Sequence, residues 1–477
     1  MAVDFRGHPM FPTSGFSAPT RFEADIYDCE VWGEIPSDID GTFYRMQCDF
    51  VYRPPENEWR TGFNGDGHVS MFRFRNGSVD YKGRYVQTAR LQAEKAARRR
   101  LFGVYRNRLT DDPSVRDMDH SAANTHIYWH HGKLMALKED SLPWTIDPHT
   151  METLGPYDFN GQYAATSMSA HPKIDAATGE LICYGYQAKG DLTDDIVVYS
   201  FSPTGEKLWE AWIKSPYVGI IHDISITENY VVIPLIARTT SRERLEAGEP
   251  MWEWDGSLPT MVGIMRRGGD GSDVRWYTGP ARNTLHYLNA YETADNTILM
   301  ELPVGLDERS PQQIMRWRFD LSEGDRAPFG EELINTSNSP LARMDDRFCG
   351  MPYQYGWVGN ADPAFAWDEE TTGMAPGRAT NCYVRFDIHT KETSTFNVGP
   401  VSGLQEVCFV PRRDDAPEGD GYIVGVASNY EDMVSELVIA DATAMEEGPI
   451  ARVRLPFRLR SGTHGQWVPS SQMPFTV

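Results

Sequence analysis

The chain has 477 residues, a net charge of −23 at neutral pH, and 40% hydrophobic and 12% aromatic residues. So acidic a composition argues against a nucleic-acid partner, because no cationic excess exists to displace phosphate counterions. The apolar content supplies a large core and excludes overall disorder, and the length suits either several domains or one large all-β unit.

No stretch approaches the roughly 18 apolar residues of a membrane span; Tyr230–Ala237 is among the longest apolar runs. The opening MAVDFRGHPMFPTSG lacks the apolar core of a signal peptide. Six cysteines, Cys29, Cys48, Cys183, Cys349, Cys382 and Cys408, are scattered without a CxxC pair. That spacing predicts reduced thiols and a soluble, cytoplasmic protein, with neither a disulfide framework nor a zinc ribbon.

In chain order, the first clear element is a hairpin. Val69–Arg75 and Val79–Val86 alternate in polarity around Asn76-Gly77, a pair suited to the tight turns that need positive φ. Thr88–Leu109 follows, rich in strong helix formers, and predicts a helix with a following loop. Its Arg98-Arg99-Arg100 run is expected to be a solvated helix face, and a lone helical insertion in a β protein predicts a cap, around 88–120. Hairpins recur at Ile196–Phe201 with Lys207–Ile213, and at Cys382–Ile388 with Thr393–Val398. An exposed loop is expected over Asp414–Gly421, and further strands at Val438–Ala440 and Ala451–Leu455. No linker divides the chain, so residues 1–477 are expected to form a single domain. Many short hairpins over this length predict an all-β fold, a β-propeller or a large sandwich, although no fixed repeat is visible.

Twelve histidines are present, and none forms HExxH or His-x-His. A metal site would need histidines brought together by the fold, as a propeller axis allows. Four have distinctive surroundings: His171 in Ser-Ala-His-Pro-Lys-Ile-Asp, His222 in His-Asp-Ile-Ser-Ile, His286 in His-Tyr-Leu-Asn-Ala-Tyr-Glu, and His464 in Thr-His-Gly-Gln-Trp-Val-Pro. His130, His131, His149 and His389 fall in turn-like settings.

In order and spacing, these four contexts resemble the metal-ligand motifs of carotenoid cleavage oxygenases. Phe63-Asn-Gly-Asp-Gly-His68, Ala136-Leu-Lys-Glu-Asp140, Gly350-Met-Pro-Tyr-Gln-Tyr355 and Gln405-Glu-Val-Cys-Phe-Val-Pro411 are further matches, and the resemblance runs from about Gly41 to Pro469. It implies a seven-bladed β-propeller with Fe(2+) on the axis, held by His171, His222, His286 and His464. Glu139 and Glu406 match glutamates that accept hydrogen bonds from ligand imidazoles, fixing tautomers and lending negative charge. One departure is visible. Relatives carry a third glutamate in an E-F-P-x-I stretch, where this chain has Ser339-Pro-Leu-Ala-Arg-Met-Asp345, leaving the third partner unassigned.

Within the family, Tyr105, Lys138 and Phe63 are similar to substrate-binding residues of the lignostilbene dioxygenase branch. The resemblance implies cleavage of the central alkene of a 4-hydroxystilbene by O2 into two aldehydes, with Tyr105 and Lys138 catalytic. An ammonium at the phenolic oxygen would favour phenolate and enrich the alkene in electrons. Isoeugenol-type and apocarotenoid cleavage stay open as alternatives. So, from another class, does a calcium-dependent propeller hydrolase or a binding propeller. The expected partners are O2 and a small phenolic alkene; a homo-oligomer is compatible with the sequence.

Overall fold

The computed structural model describes residues 15–53 and 63–473. The opening 14 residues, read above for a signal peptide, lie outside them. Among the described residues the strands form seven antiparallel sheets of four to six strands, the blades of a seven-bladed β-propeller. The propeller reading therefore holds over the sandwich.

The predicted hairpins appear with boundaries moved by a few residues. Asp66–Arg75 pairs with Ser78–Tyr85 across Asn76 and Gly77, whose φ values are 52° and 76°. Leu181–Tyr186 and Asp195–Phe201 are buried along their whole length, because neighbouring blades cover both faces. By contrast Ser78–Tyr85, near a blade edge, alternates buried with more exposed positions.

Both ends of the chain close the ring. The first blade, built on Gly41–Asp49, takes Gly462–Pro469 as its innermost strand and Ala24–Ile26 as its outermost. The seventh, built from Ser402–Pro411 to Pro449–Arg454, takes Glu30–Gly33 on its outer edge. The inner strands of the second to sixth blades begin at His126, Lys173, Gly219, Asn289 and Ala342.

The core is divided among the seams between blades. Phe43, Phe72, Val424 and Leu437 join the first and seventh blades, and Trp357 stacks on Phe409 between the sixth and seventh at 4.8 Å. Burying each such side chain contributes about 1.5–3 kcal/mol, so rigidity comes from seven similar seams rather than one centre.

The predicted helix is shorter than its composition suggests, covering Ala89–Ala97. Thr88 caps it by accepting from the Leu91 N–H, and Arg98 ends it in the left-handed region at φ 54°. The arginine run is therefore not a helix face. Arg99 pairs with Asp112, and Arg100 turns inward to Glu94 at 3.3 Å. Buried Glu94 also accepts from the N–H groups of Leu101 and Phe102. Asn107 donates to the carbonyls of Leu245 and Glu249, tying the segment to the fourth blade.

Candidate metal centre

The four distinctive histidines come from four blades and meet on the axis. His171 stands two residues ahead of the third blade's inner strand, and His222 between the short inner strands of the fourth. His286 precedes the fifth blade's inner strand, and His464 lies on the closing strand Gly462–Pro469. One ring nitrogen from each lies within 4.8 Å of the others, and ring centres of neighbouring pairs are 4.6–5.2 Å apart.

The remaining three blades support these rings. Glu139, just past the second blade's Lys133–Leu137, accepts from Nδ1 of His222 at 2.9 Å. Glu406, on the seventh, accepts from Nδ1 of His464 at 2.8 Å. It sits where the pairing of Ser402–Pro411 shifts register between Leu404 and Val407, a bulge that re-aims a side chain. The third support, which the sequence left unassigned, is the carbonyl of Pro340 ahead of the sixth blade. It accepts from Nδ1 of His286 at 3.0 Å.

These contacts set the tautomers. Two carboxylates and a carbonyl face Nδ1 of His222, His464 and His286, so in these three rings Nδ1 carries the hydrogen and Nε2 a lone pair. The Nε2 atoms of His171 and His222 are 3.1 Å apart, and those of His222 and His286 are 3.2 Å apart. Nitrogens about 2.1 Å from one ion stand about 3.0 Å apart at a right angle. Burial, reinforced by the neighbouring imidazoles, holds His171 and His286 well below the usual histidine pKa. A proton on either of these two rings is therefore disfavoured. Lone pairs converging at this distance fit a transition-metal cation. They do not fit calcium, which takes oxygen ligands.

Electrostatics keep the supports ionised. Burial opposes the charge of Glu139, yet the His222 hydrogen bond and the cations Arg106 and Lys138 outweigh it and hold the carboxyl well below its ordinary value. For Glu406, burial is likewise outweighed by His464 and Arg343, the latter 3.3 Å away. Glu139 is therefore a buried and Glu406 a largely buried carboxylate, each hydrogen-bonded to an imidazole rather than to solvent.

Phe63, Tyr105 and Lys138 lie near Glu139. Lys138 is only 4% exposed, so it is not a surface lysine; its ammonium donates to the Phe63 carbonyl at 3.1 Å and stands 4.7 Å from the Tyr105 ring centre. The Phe63 and Tyr105 rings are 6.5 Å apart. Tyr105 directs its hydroxyl to Glu139 Oε1. A cavity of about 650 Å³ meets His171, His286 and His464, but Phe63, Tyr105 and Lys138 are not in its walls.

Sequence reasoning missed two residues here. Asp223, directly after His222, accepts from the Tyr287 N–H at 3.0 Å and pairs with Lys173 at 2.8 Å. It thereby ties together the segments bearing His171, His222 and His286, and the His-Asp dipeptide was its only signal. His126 packs 5.5 Å from the His171 ring and 5.1 Å from the His464 ring, with Nδ1 on the Ala170 carbonyl at 2.9 Å. Its strand context gave no hint of this.

The chain matches, over residues 17–469, the family model described as retinal pigment epithelial membrane protein. This protein belongs to the carotenoid cleavage oxygenase family. It is 38% identical to an isoeugenol monooxygenase of Pseudomonas putida over 98% of this oxygenase and 99% of the relative. It is also 38% identical to resveratrol cleavage oxygenase 1 of Aspergillus fumigatus, over 98% and 97%. The crystal structure of Pseudomonas brassicacearum lignostilbene dioxygenase superposes with a TM-score of 0.92 at 38% identity, covering 98% of this oxygenase and all of the relative. Relatives across the match are named oxygenases, and this chain is an enzyme of that class.

Proposed function

We propose that this oxygenase cleaves the central alkene of a 4-hydroxystilbene with O2, giving two aromatic aldehydes, and that Fe(2+) is its metal. The observation that carries the substrate class is Lys138. Among the described residues, this buried ammonium makes one hydrogen bond and no ion pair. A buried ammonium whose nearest carboxylate, Glu139, acts on it only at longer range remains costly, and a phenolate oxygen would supply a direct counter-charge. Similarity to relatives named for resveratrol and lignostilbene supports the same class.

His171, His222, His286 and His464 would hold the iron, with Glu139, Glu406 and the Pro340 carbonyl fixing their orientation. Four neutral imidazoles leave the ion its full charge, and ferrous iron supplies O2 binding and redox chemistry that zinc lacks. Lys138 favours the ionised phenol by direct charge pairing and so pushes electron density toward the alkene. Tyr105 can share the phenolic proton, and Phe63 packs against a ring. Residues 88–120 act as a cap on a single-domain propeller. No helix among the described residues is long and apolar enough to cross a membrane, and all six cysteines are free; we assign the reaction to the cytoplasm.

The test is aerobic turnover of iron-loaded protein with 4-hydroxystilbene and its 4-methoxy ether, with the aldehydes identified by mass. Cleavage of the phenol alone is expected. Lys138→Met should lower kcat/KM by about 10²–10⁴, the span of acid–base groups, with iron content unchanged. Equal cleavage of the ether would remove the phenolate reading and favour an apocarotenoid-type substrate. Isoeugenol-type cleavage is the second reading, because the Pseudomonas putida relative is equally similar and the same Tyr105–Lys138 pair suits any 4-hydroxyphenyl alkene. Product yields from isoeugenol and resveratrol, measured side by side, decide between them.

A further inference from the structure

Two hydrogen bonds in series connect the phenol-type residues to a metal-ligand candidate. Tyr105 donates to Oε1 of Glu139, and Oε2 of the same carboxylate accepts from Nδ1 of His222 at 2.9 Å. Glu139 is 2% exposed, so water does not dilute the link. Besides Tyr105, Oε1 has Arg106 at 3.5 Å. Lys138 stands 4.7 Å from the Tyr105 ring centre, so an oxygen held by the ammonium comes within reach of the tyrosine hydroxyl.

We propose that Tyr105, beyond touching substrate, is a positioning residue that couples occupation of the phenol site to the donor strength of His222. The proposal rests on the 4-hydroxystilbene reading above. With the site empty, Glu139 divides its charge between the tyrosine O–H and the imidazole N–H. A phenolate at Lys138 is a stronger acceptor than a carboxylate and draws the Tyr105 hydrogen bond to itself. Glu139 then concentrates its charge on His222 Nδ1–H, which makes Nε2 a better donor to a metal. One hydrogen bond is exchanged, the proton stays on Tyr105, and no electron moves. His222 would thus be at its strongest as a donor to a bound metal only when a substrate is present.

Equilibrium binding to the full chain tests this without turnover, using Co(2+) under anaerobic conditions. In the wild type, saturating 4-hydroxystilbene should tighten Co(2+) binding by about fivefold or more. Co(2+) should tighten stilbene binding by the same factor, as linkage requires. The 4-methoxy ether should give no coupling. Tyr105→Phe should bind 4-hydroxystilbene more weakly, through Lys138, and at saturating stilbene should show no coupling; Glu139→Gln should lose the coupling as well. Coupling that survives in Tyr105→Phe, or is absent from a wild type that binds both ligands, overturns the proposal. A wild type that binds no 4-hydroxystilbene overturns the substrate reading and this proposal with it, so the two failures are distinct.

Discussion

His222 and His464 each lean on a buried carboxylate, whereas His286 leans on the carbonyl of Pro340. All three contacts hold a ring in place and fix its tautomer, but only the first two add negative charge. The contrast separates two jobs that a supporting group usually performs together. Orientation needs only an acceptor at the right distance, while tuning the basicity of the imidazole needs charge. In this chain the ring on the fifth blade is oriented without being tuned.

The strongest way to break that contrast is to remove the charge and keep the shape. Glu139→Gln or Glu406→Gln should weaken Fe(2+) or Co(2+) binding about 10–100-fold, measured by competitive titration. Binding at wild-type strength in both would show that charge does no more here than a carbonyl. The reverse change sharpens the contrast. Pro340→Glu offers His286 a carboxylate and should tighten metal binding by up to about tenfold, while Pro340→Ala keeps the carbonyl and should leave it nearly unchanged. A loss of affinity in the alanine variant would mean that the proline ring, not its oxygen, is what matters.

The smallest expected effect is a null one. Glu139 and Glu406 are held below the ordinary carboxylate range. Their charge is therefore fully present above the unfolded value of about 4.3 and is lost only as pH falls through the lower folded value. The ratio of wild-type to Glu139→Gln affinity should stay constant from pH 8 to about pH 5.5. A ratio that collapses across this window would mean that the carboxyl protonates near neutrality.

What could be read in advance follows the range of each signal. The Asn76-Gly77 turn and the alternating strands are local, and the four histidine contexts carry their neighbours with them. The Pro340 carbonyl was illegible because every residue offers one, and no side chain marks which is used. His126 and Asp223 act on partners 44 or more residues away along the chain, where neither periodicity nor composition reaches. The helix was overextended because Ala and Arg favour continuation, whereas buried Glu94 draws the chain into a left-handed turn at Arg98. Ala24–Ile26 and Glu30–Gly33, three residues apart, serve the first and seventh blades, a split that no local signal marks.

Because Gly462–Pro469 follows the segments that carry His171, His222 and His286, His464 is the last of the four imidazoles to be made. Synthesis runs from the N-terminus, so a nascent or clipped polypeptide that stops short of residue 462 is an open horseshoe bearing three of the four rings. A completed metal site therefore requires that synthesis has passed residue 464, and an ion captured there would act as a rivet holding the closing strand to the rest of the ring.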